Sequence, residues 1–371
     1  MVAQPAPKQG LAWGRVPLLA LGGVALVAGL WGGLLRIGLE LPVPSAAVVS
    51  NHGALMVCSF LGTVIGIERA VALGHRWAYA APLLTGLGSV TLLVTGHSVV
   101  GVGAVVAGSL VFVAASVRII ARQSTTFTVV MALGGVAWAV GNVLWWMGRP
   151  IFDLVLWWVA FLLLTIAGER LELSRLMRRP RWANAAFVVA CGLFLVGVAA
   201  SVWWRDVGVR LSGAGMLALT LWLFRHDVAR RTVRLDGLPR YVAVCLLSGY
   251  VWLFVAGVLL VTHGSLTAGP AYDAALHAFF VGFVFSMIFG HAPIIVPAVL
   301  RVAVPYRPSF YLALALLHAS LLVRIVGDVI VLPGARIAGG TLSAVAVLLF
   351  IAIVVRSARA GDLRRRAPHP G

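Results

Sequence analysis

Apolar residues run along the chain in long stretches that end at Pro, Gly or charged residues. A helix needs about 20 apolar residues to cross the hydrocarbon core of a bilayer. We find twelve stretches of that length. They predict an all-α, polytopic membrane protein whose spanning helices lie near residues 16–37, 45–68, 78–96, 99–121, 126–147, 151–172, 183–203, 207–225, 239–262, 271–299, 309–330 and 335–356.

The composition agrees with this pattern. Hydrophobic residues make up 61% of the 371 residues, charged residues only 11%, and the mean hydropathy is +1.02. Soluble domains carry about 25% charged residues, so a soluble globular protein is excluded. We predict one integral membrane domain over residues 1–371, with polar tails at 1–14 and 357–371. The first apolar run has no obvious cleavage site before it ends and is expected to be a retained anchor.

The distribution of basic residues predicts the orientation. If both termini are cytoplasmic, 23 of the 29 Lys and Arg residues lie in inner segments, five lie in outer loops, and Arg324 lies within a helix. Such a bias is typical of the cytoplasmic side of a membrane protein and requires an even number of helices. We therefore predict a multi-pass protein of the cytoplasmic (inner) membrane. The net charge of +18 then indicates a topogenic signal and attraction to anionic lipid, not a nucleic-acid partner.

Three short strings suggest an internal repeat. "FLGTVIGIE" ends at Glu68, "FLLLTIAGE" ends at Glu169 and "FVFSMIFGH" ends at His291. In each, Phe precedes a polar residue by eight positions, and the strings fall in predicted helices 2, 6 and 10. The spacing predicts three four-helix units, at about 16–121, 126–225 and 239–356.

Two histidines lie at one predicted depth. His52 follows Pro44 by eight residues and His277 follows Pro270 by seven. If the prolines begin their helices, each imidazole lies roughly 10 to 12 Å into the membrane. Two neutral histidines on facing helices at one level are what a six-coordinate haem requires, so we predict His52 and His277 as its axial ligands. The alternative is that each only hydrogen-bonds a neighbouring helix.

The strings around these histidines resemble a known family. "NHGALM" at 51–56 is similar to helix 2 of the catalytic subunit of haem-copper oxidases, where Met follows His by four. "HAFFVGFVFSMIFGH" at 277–291 resembles the NnrS branch, membrane proteins of the same fold associated with haem, copper and nitric oxide stress. The resemblance implies a fold like oxidase subunit I, with His52 and His277 binding a low-spin haem.

The sequence also departs from the oxidases. They carry a His-x-His pair on helix 10 and copper-binding histidines on helices 6 and 7, with a Tyr beside one of them, whereas here helix 10 has one His at the outer level and helices 6 and 7 have none. Oxygen reduction is therefore not expected. The resemblance implies a haem-dependent role in binding or detoxifying a diatomic gas such as nitric oxide, or electron transfer with a redox partner. Whether the protein is an enzyme stays open.

A second candidate site lies deeper. His291 is about 21 Å below His277 by helical rise, and His318 on the next helix is predicted at a similar depth. Glu68 and Glu169 are predicted near the same side. These four residues could hold copper or zinc, or pass protons. The alternative is hydrogen bonding between helices for the two histidines.

Local ion pairs give a simpler explanation for some of the charged residues. Each of the two glutamates is followed directly by an arginine, Arg69 or Arg170, which we expect to neutralise it at a helix end. Arg324 and Asp328 have the i, i+4 spacing of a pair along one helix.

Pro293 and Pro297 predict a kink beside His291, because each removes a backbone donor from helix 10. Broken helices form substrate sites in transporters, so a twelve-helix secondary transporter using buried His and Glu is the main rival function. A non-catalytic assembly protein with an oxidase-like fold is the third possibility. A transporter should divide into two halves of six helices, whereas this chain suggests a repeat of four.

Overall fold

The computed structural model describes residues 11–366 except 176 and 178. The described residues form helices and no strands. Twelve of the helices are long and apolar enough to cross a membrane, which confirms the predicted number. They are α1 (Trp13–Arg36), α2 (His52–Leu73), α3 (Arg76–Thr95), α4 (Val99–Arg122), α5 (Thr126–Trp146), α6 (Ile151–Leu173), α7 (Arg181–Ala200), α8 (Arg205–His226), α9 (Leu238–His263), α10 (Pro270–Leu300), α11 (Phe310–Val329) and α12 (Pro333–Gly361).

Helix α2 begins later than the sequence predicts. A separate short helix, Ala46–Ser50, precedes it, and Asn51 breaks the two apart with φ −95° and ψ 9°, outside the α region. His52 is therefore the first residue of α2 and does not lie two turns inside a helix that starts at Pro44. In contrast, α10 does begin at Pro270, and its first segment ends at His277.

Helices α2 and α10 share a departure from regular α geometry. A π-helical segment spans Leu55–Leu61 in α2 and Ala278–Phe285 in α10, in each case just after the histidine. Helix α6 is α-helical throughout. The structure thus gives helices 2 and 10 a common feature that helix 6 lacks, and the three-unit repeat stays a prediction. Helix α10 continues through Pro293 and Pro297, so its irregular part lies before the prolines.

The helices pack mostly on their neighbours in the chain. In addition, α1 contacts α12, and α2 contacts α10, so the first two spanning helices pack against helices from the last third of the chain. Large aromatic side chains fill the interior, and the rings of Trp138 and Phe161 stack with centroids 4.7 Å apart. Small residues allow the close approach of neighbouring helices, as expected in membranes.

The start of α1 is attached to the end of α10. The backbone N–H of Ala12 donates to the carbonyl of Leu300 at 3.0 Å, and the Arg15 guanidinium donates to the carbonyl of Val299 at 2.7 Å. The last carbonyls of a helix lack partners within the helix, and these donors satisfy two of them. The positive charge of Arg15 is also favourable at the C-terminal end of α10, where the helix dipole is negative. Helix α12 continues to Arg366, so the predicted tail at 357–371 is helical over most of its length. Residues 1–10 and 367–371 of the two predicted tails lie outside the described residues.

Candidate functional site

A cavity of about 410 Å³ opens at the end of the bundle where α2, α6 and α10 begin. We call it the histidine cavity, because His52 and His277 both line it. Helices α1, α11 and α12 complete its wall. Its volume falls within the roughly 300–1,000 Å³ of small-molecule and cofactor sites. The structure therefore brings the two predicted ligands to one site, and the three helices of the predicted repeat all contribute to it.

His52 is oriented by α1. Its Nδ1 lies 2.6 Å from the carbonyl oxygen of Gly29, to which a neutral imidazole donates its N–H. One turn further along α1, a Cβ at Gly33 would lie 2.8 Å from Cε1 of His52, so a larger residue there would force the ring to shift. The hydrogen bond on Nδ1 leaves the lone pair of Nε2 free.

His277 is oriented in the same way by its own helix. Its Nδ1 lies 2.8 Å from the backbone carbonyl oxygen of Asp273 and 3.3 Å from a carboxylate oxygen of the same residue. Among the described residues, Nε2 of neither His52 nor His277 has a hydrogen-bonding partner. A histidine that binds a metal through one nitrogen commonly donates from the other to a carbonyl or carboxylate. Both side chains have that arrangement.

An ion-pair network surrounds His277. The guanidinium of Arg324 on α11 contacts Oδ2 of Asp273 at 2.8 and 3.2 Å, and Arg336 on α12 lies 3.9 Å from Oδ1. Asp328 pairs with Arg336 at 3.2 Å. The predicted pair between Arg324 and Asp328 is therefore wrong, because the close packing of α10, α11 and α12 offers each of them a partner on another helix.

The charge of the lining is positive. Arg36, Arg324 and Arg336 line the histidine cavity, against the single carboxylate of Asp273. The rest of the wall is largely apolar and includes Leu34, Val57, Phe280, Val281 and Val347. The cavity thus combines a largely apolar wall with charged groups at one end of the bundle.

The second candidate site has a different environment. The indole N–H of Trp252 donates to Nδ1 of His318 at 2.8 Å, so Nε2 carries the proton and donates to Ser248 Oγ at 2.9 Å. His318 thus has no nitrogen free for a metal. His291 donates from Nδ1 to the carbonyl of Met287 at 2.8 Å. For His318, the alternative of hydrogen bonding between helices accounts for both nitrogens.

The two glutamates are not neutralised as the sequence predicts. Arg170 pairs with Asp227 at 2.7 Å, and the Arg69 guanidinium contacts Met131 Sδ at 3.6 Å. Neither Glu68 nor Glu169 has an ion pair within the part of the chain that the structure describes. Over those same residues, no group of three or more His, Cys, Asp and Glu is placed to hold a metal ion. The second metal site stays a prediction of the sequence, without geometry to support it.

Most residues that orient the histidines are not predicted by the sequence pattern. Asp273 precedes His277 by four positions in an otherwise apolar segment, and that i, i+4 spacing was a usable signal. Gly29 and Gly33 on α1, and Arg336 on α12, carry no local signal, because they approach the histidines only through packing between helices.

These features define a polytopic helical membrane protein with a histidine-lined, positively charged cavity at one end. The chain belongs to the family described as "Domain of unknown function (DUF8744)", whose sequence model matches residues 15–359. That match runs from α1 almost to the end of α12 and includes every residue of the histidine cavity. No curated protein matches the chain.

Proposed function

We propose that the histidine cavity binds haem, with His52 and His277 as axial ligands of the iron, as the resemblance to the haem-copper oxidases implies. One observation carries the proposal. Two histidines from helices distant in the chain line one cavity, and each has Nδ1 on a backbone carbonyl and Nε2 without a partner.

The lining suits this cofactor in two further respects. A porphyrin needs apolar surfaces against its faces, and the cavity wall has them in Leu34, Val57, Phe280 and Val347. Its two propionates need cations. Asp273 and Asp328 pair with Arg324 and Arg336, whereas Arg36 has no ion pair among the described residues and is free to bind a carboxylate.

Haem bound here would supply one-electron exchange and, if one ligand leaves, a binding position for a diatomic gas. We propose a role in the response to nitric oxide or its detoxification, or in electron transfer within the membrane, with a redox partner in either case. The protein's own part is to hold two imidazoles in one tautomer and to keep water from the apolar wall.

We also propose that the protein lies in the cytoplasmic membrane with both termini inside, so that the histidine cavity faces outward. The support is the excess of basic residues in the segments that this orientation places inside. Fusions of alkaline phosphatase and of a fluorescent protein after Arg234 and after Gly264 test it. Fluorescence is expected after Arg234 and phosphatase activity after Gly264, and the reverse result would invert the topology.

The first experiment on the cofactor is spectroscopic. The full-length protein is purified in mild detergent from cells supplied with haem, and oxidised and dithionite-reduced spectra are recorded with metal analysis of the same sample. We expect one haem per chain with sharp reduced α and β bands. A protein without haem would refute the proposal and favour the secondary transporter.

Single variants assign the ligands. His52→Ala and His277→Ala should each lose the six-coordinate spectrum, and an unchanged spectrum in either would refute that ligand. His291→Ala is the matched control on α10. Its Nδ1 also bonds a backbone carbonyl, but it lies outside the histidine cavity, so its haem content and spectrum should stay native.

A further inference from the structure

We infer that the two proposed ligands are unequal, with His277 the permanent ligand and His52 the one that a diatomic gas displaces. This inference rests on the proposed haem site. It concerns the surroundings of the two imidazoles, which differ in charge, in hydrogen bonding and in position along their helices.

His277 is held by a charged network from three helices. Its Nδ1–H donates to the backbone carbonyl of Asp273 at 2.8 Å, and the carboxylate of the same residue lies 3.3 Å from Nδ1. Arg324 fixes that carboxylate through two hydrogen bonds, and Arg336 lies beside it. A carboxylate next to the N–H of an imidazole gives the ring imidazolate character and makes Nε2 a stronger donor to a metal. Moving His277 would also disturb the ion pairs that join α10, α11 and α12 beside it.

His52 is held by one neutral group. Its Nδ1–H donates to the carbonyl of Gly29 at 2.6 Å, and no carboxylate lies against the ring among the described residues. It is the first residue of α2, directly after the break at Asn51, whose side-chain amide nitrogen is buried without a partner. Helix ends open at lower free energy than helix interiors. Moving His52 away from the cavity therefore disturbs less of the fold than moving His277.

The exchange needs no co-reactant. With haem bound, the bond from His52 Nε2 to the iron would break with its electron pair staying on the imidazole, and the gas would supply the pair for its own bond. The Nδ1 proton stays on His52, so no proton or electron is transferred. A protein with two histidine ligands can in this way bind gas at one side, while Asp273 acts as a positioning residue for the ligand on the other side.

Carbon monoxide is the probe for this inference, and the C–O stretching frequency is the readout, because it responds to the ligand on the opposite side of the iron. The reduced full-length holoprotein is compared with His52→Ala, His277→Ala and Asp273→Asn. The native protein and His52→Ala should show the same frequency, since His277 lies opposite the gas in both. Asp273→Asn should shift it, because the amide gives His277 less imidazolate character.

Two further measurements sharpen the test. Carbon monoxide should bind to His52→Ala at least about tenfold faster than to the native protein, because the native iron is open only for a fraction of the time. Asp273→Asn should also raise the reduction potential of the haem. Asp206→Asn is the matched control. Asp206 pairs with Arg210 on α8, outside the histidine cavity, and its loss should leave frequency, rate and potential native.

The inference is overturned if the native frequency matches that of His277→Ala, or if Asp273→Asn and Asp206→Asn give the same frequency and potential. It is also overturned if the native protein has a six-coordinate haem that carbon monoxide does not enter. These failures leave the haem proposal standing, whereas a native protein without haem refutes the haem proposal itself.

Discussion

Nε of Arg170 lies 2.7 Å from Oδ2 of Asp227, and a second contact of 2.9 Å makes the pair bidentate. Both side chains are buried, with 3% and 0% of their surface exposed. Tyr250 adds a hydrogen bond from its hydroxyl to Asp227 at 2.7 Å. The pair joins the end of α6 to the linker between α8 and α9, which fixes two parts of the chain that are far apart in sequence.

Arg170→Met should destabilise the protein strongly. It leaves the Asp227 carboxylate buried without its cation, and breaking a buried pair in this way costs about 3 to 5 kcal/mol. Thermal unfolding of the purified protein in detergent measures the loss. The double variant Arg170→Met with Asp227→Leu should recover only part of it, because no unpaired charge remains but the buried Tyr250 hydroxyl loses its acceptor. Asp206→Asn, in an exposed pair, is the control and should change the melting temperature little. Equal losses in Arg170→Met and the control would contradict this view of the pair.

Gly33→Ala should lower haem occupancy while the fold is kept. The new Cβ would lie 2.8 Å from Cε1 of His52 and would push the ring from its place. Haem per chain, from the visible spectrum and protein assay, is the measurement. Gly23→Ala on the same helix is the control, since a Cβ there meets nothing within 4 Å. Full haem content in Gly33→Ala would show that His52 does not need its present position.

Arg36→Gln should weaken haem binding. Arg36 lines the histidine cavity, and its loss removes one of the positive charges available to a propionate. A charge-assisted hydrogen bond contributes about 1.5 to 3 kcal/mol, so we expect haem affinity to fall at least about tenfold in a titration of the apoprotein. Arg149→Gln, an exposed residue at the same end of the bundle, should have no such effect. A fall of similar size in Arg149→Gln would mean that the long-range field of the protein, and not the cavity lining, attracts the ligand.

His318→Phe tests the second metal site. The substitution leaves the indole N–H of Trp252 without its acceptor, which should cost about 1 to 3 kcal/mol of stability. Copper and zinc content should not change, because both ring nitrogens are already engaged by protein groups. His263→Phe, at the exposed end of α9, is the matched control and should alter stability less. If His318→Phe lost bound metal and His263→Phe did not, the result would support a second metal site at His318.

The spanning helices could be predicted because crossing a bilayer imposes a length and an apolar composition that are visible locally. The pairing of His52 with His277 could be suggested because each lies near the start of its helix. The predicted depth of His52 nevertheless depends on a helix that starts at Pro44, whereas in the structure the helix starts at His52.

Partners across helices could not be predicted. Arg324 binds Asp273, 51 residues earlier, although Asp328 lies four residues away on its own helix. The i, i+4 spacing suggests an ion-pair partner on the same helix, but the packing of helices determines which carboxylate lies close to the arginine. The same applies to Arg170, whose partner Asp227 is 57 residues away.

The π-helical segments give each of the two histidine helices an extra residue within a turn. Leu55–Leu61 and Ala278–Phe285 lie between the histidine and the rest of its helix. Residues on the two sides of such a segment no longer follow one α-helical face, so the angle between His277 and His291 cannot be counted at 100° per residue. In each helix, the direction in which the histidine points is therefore set separately from the faces of the residues after the π-helical segment. A single-residue deletion within either segment would turn the histidine by about a quarter turn against an unchanged bundle.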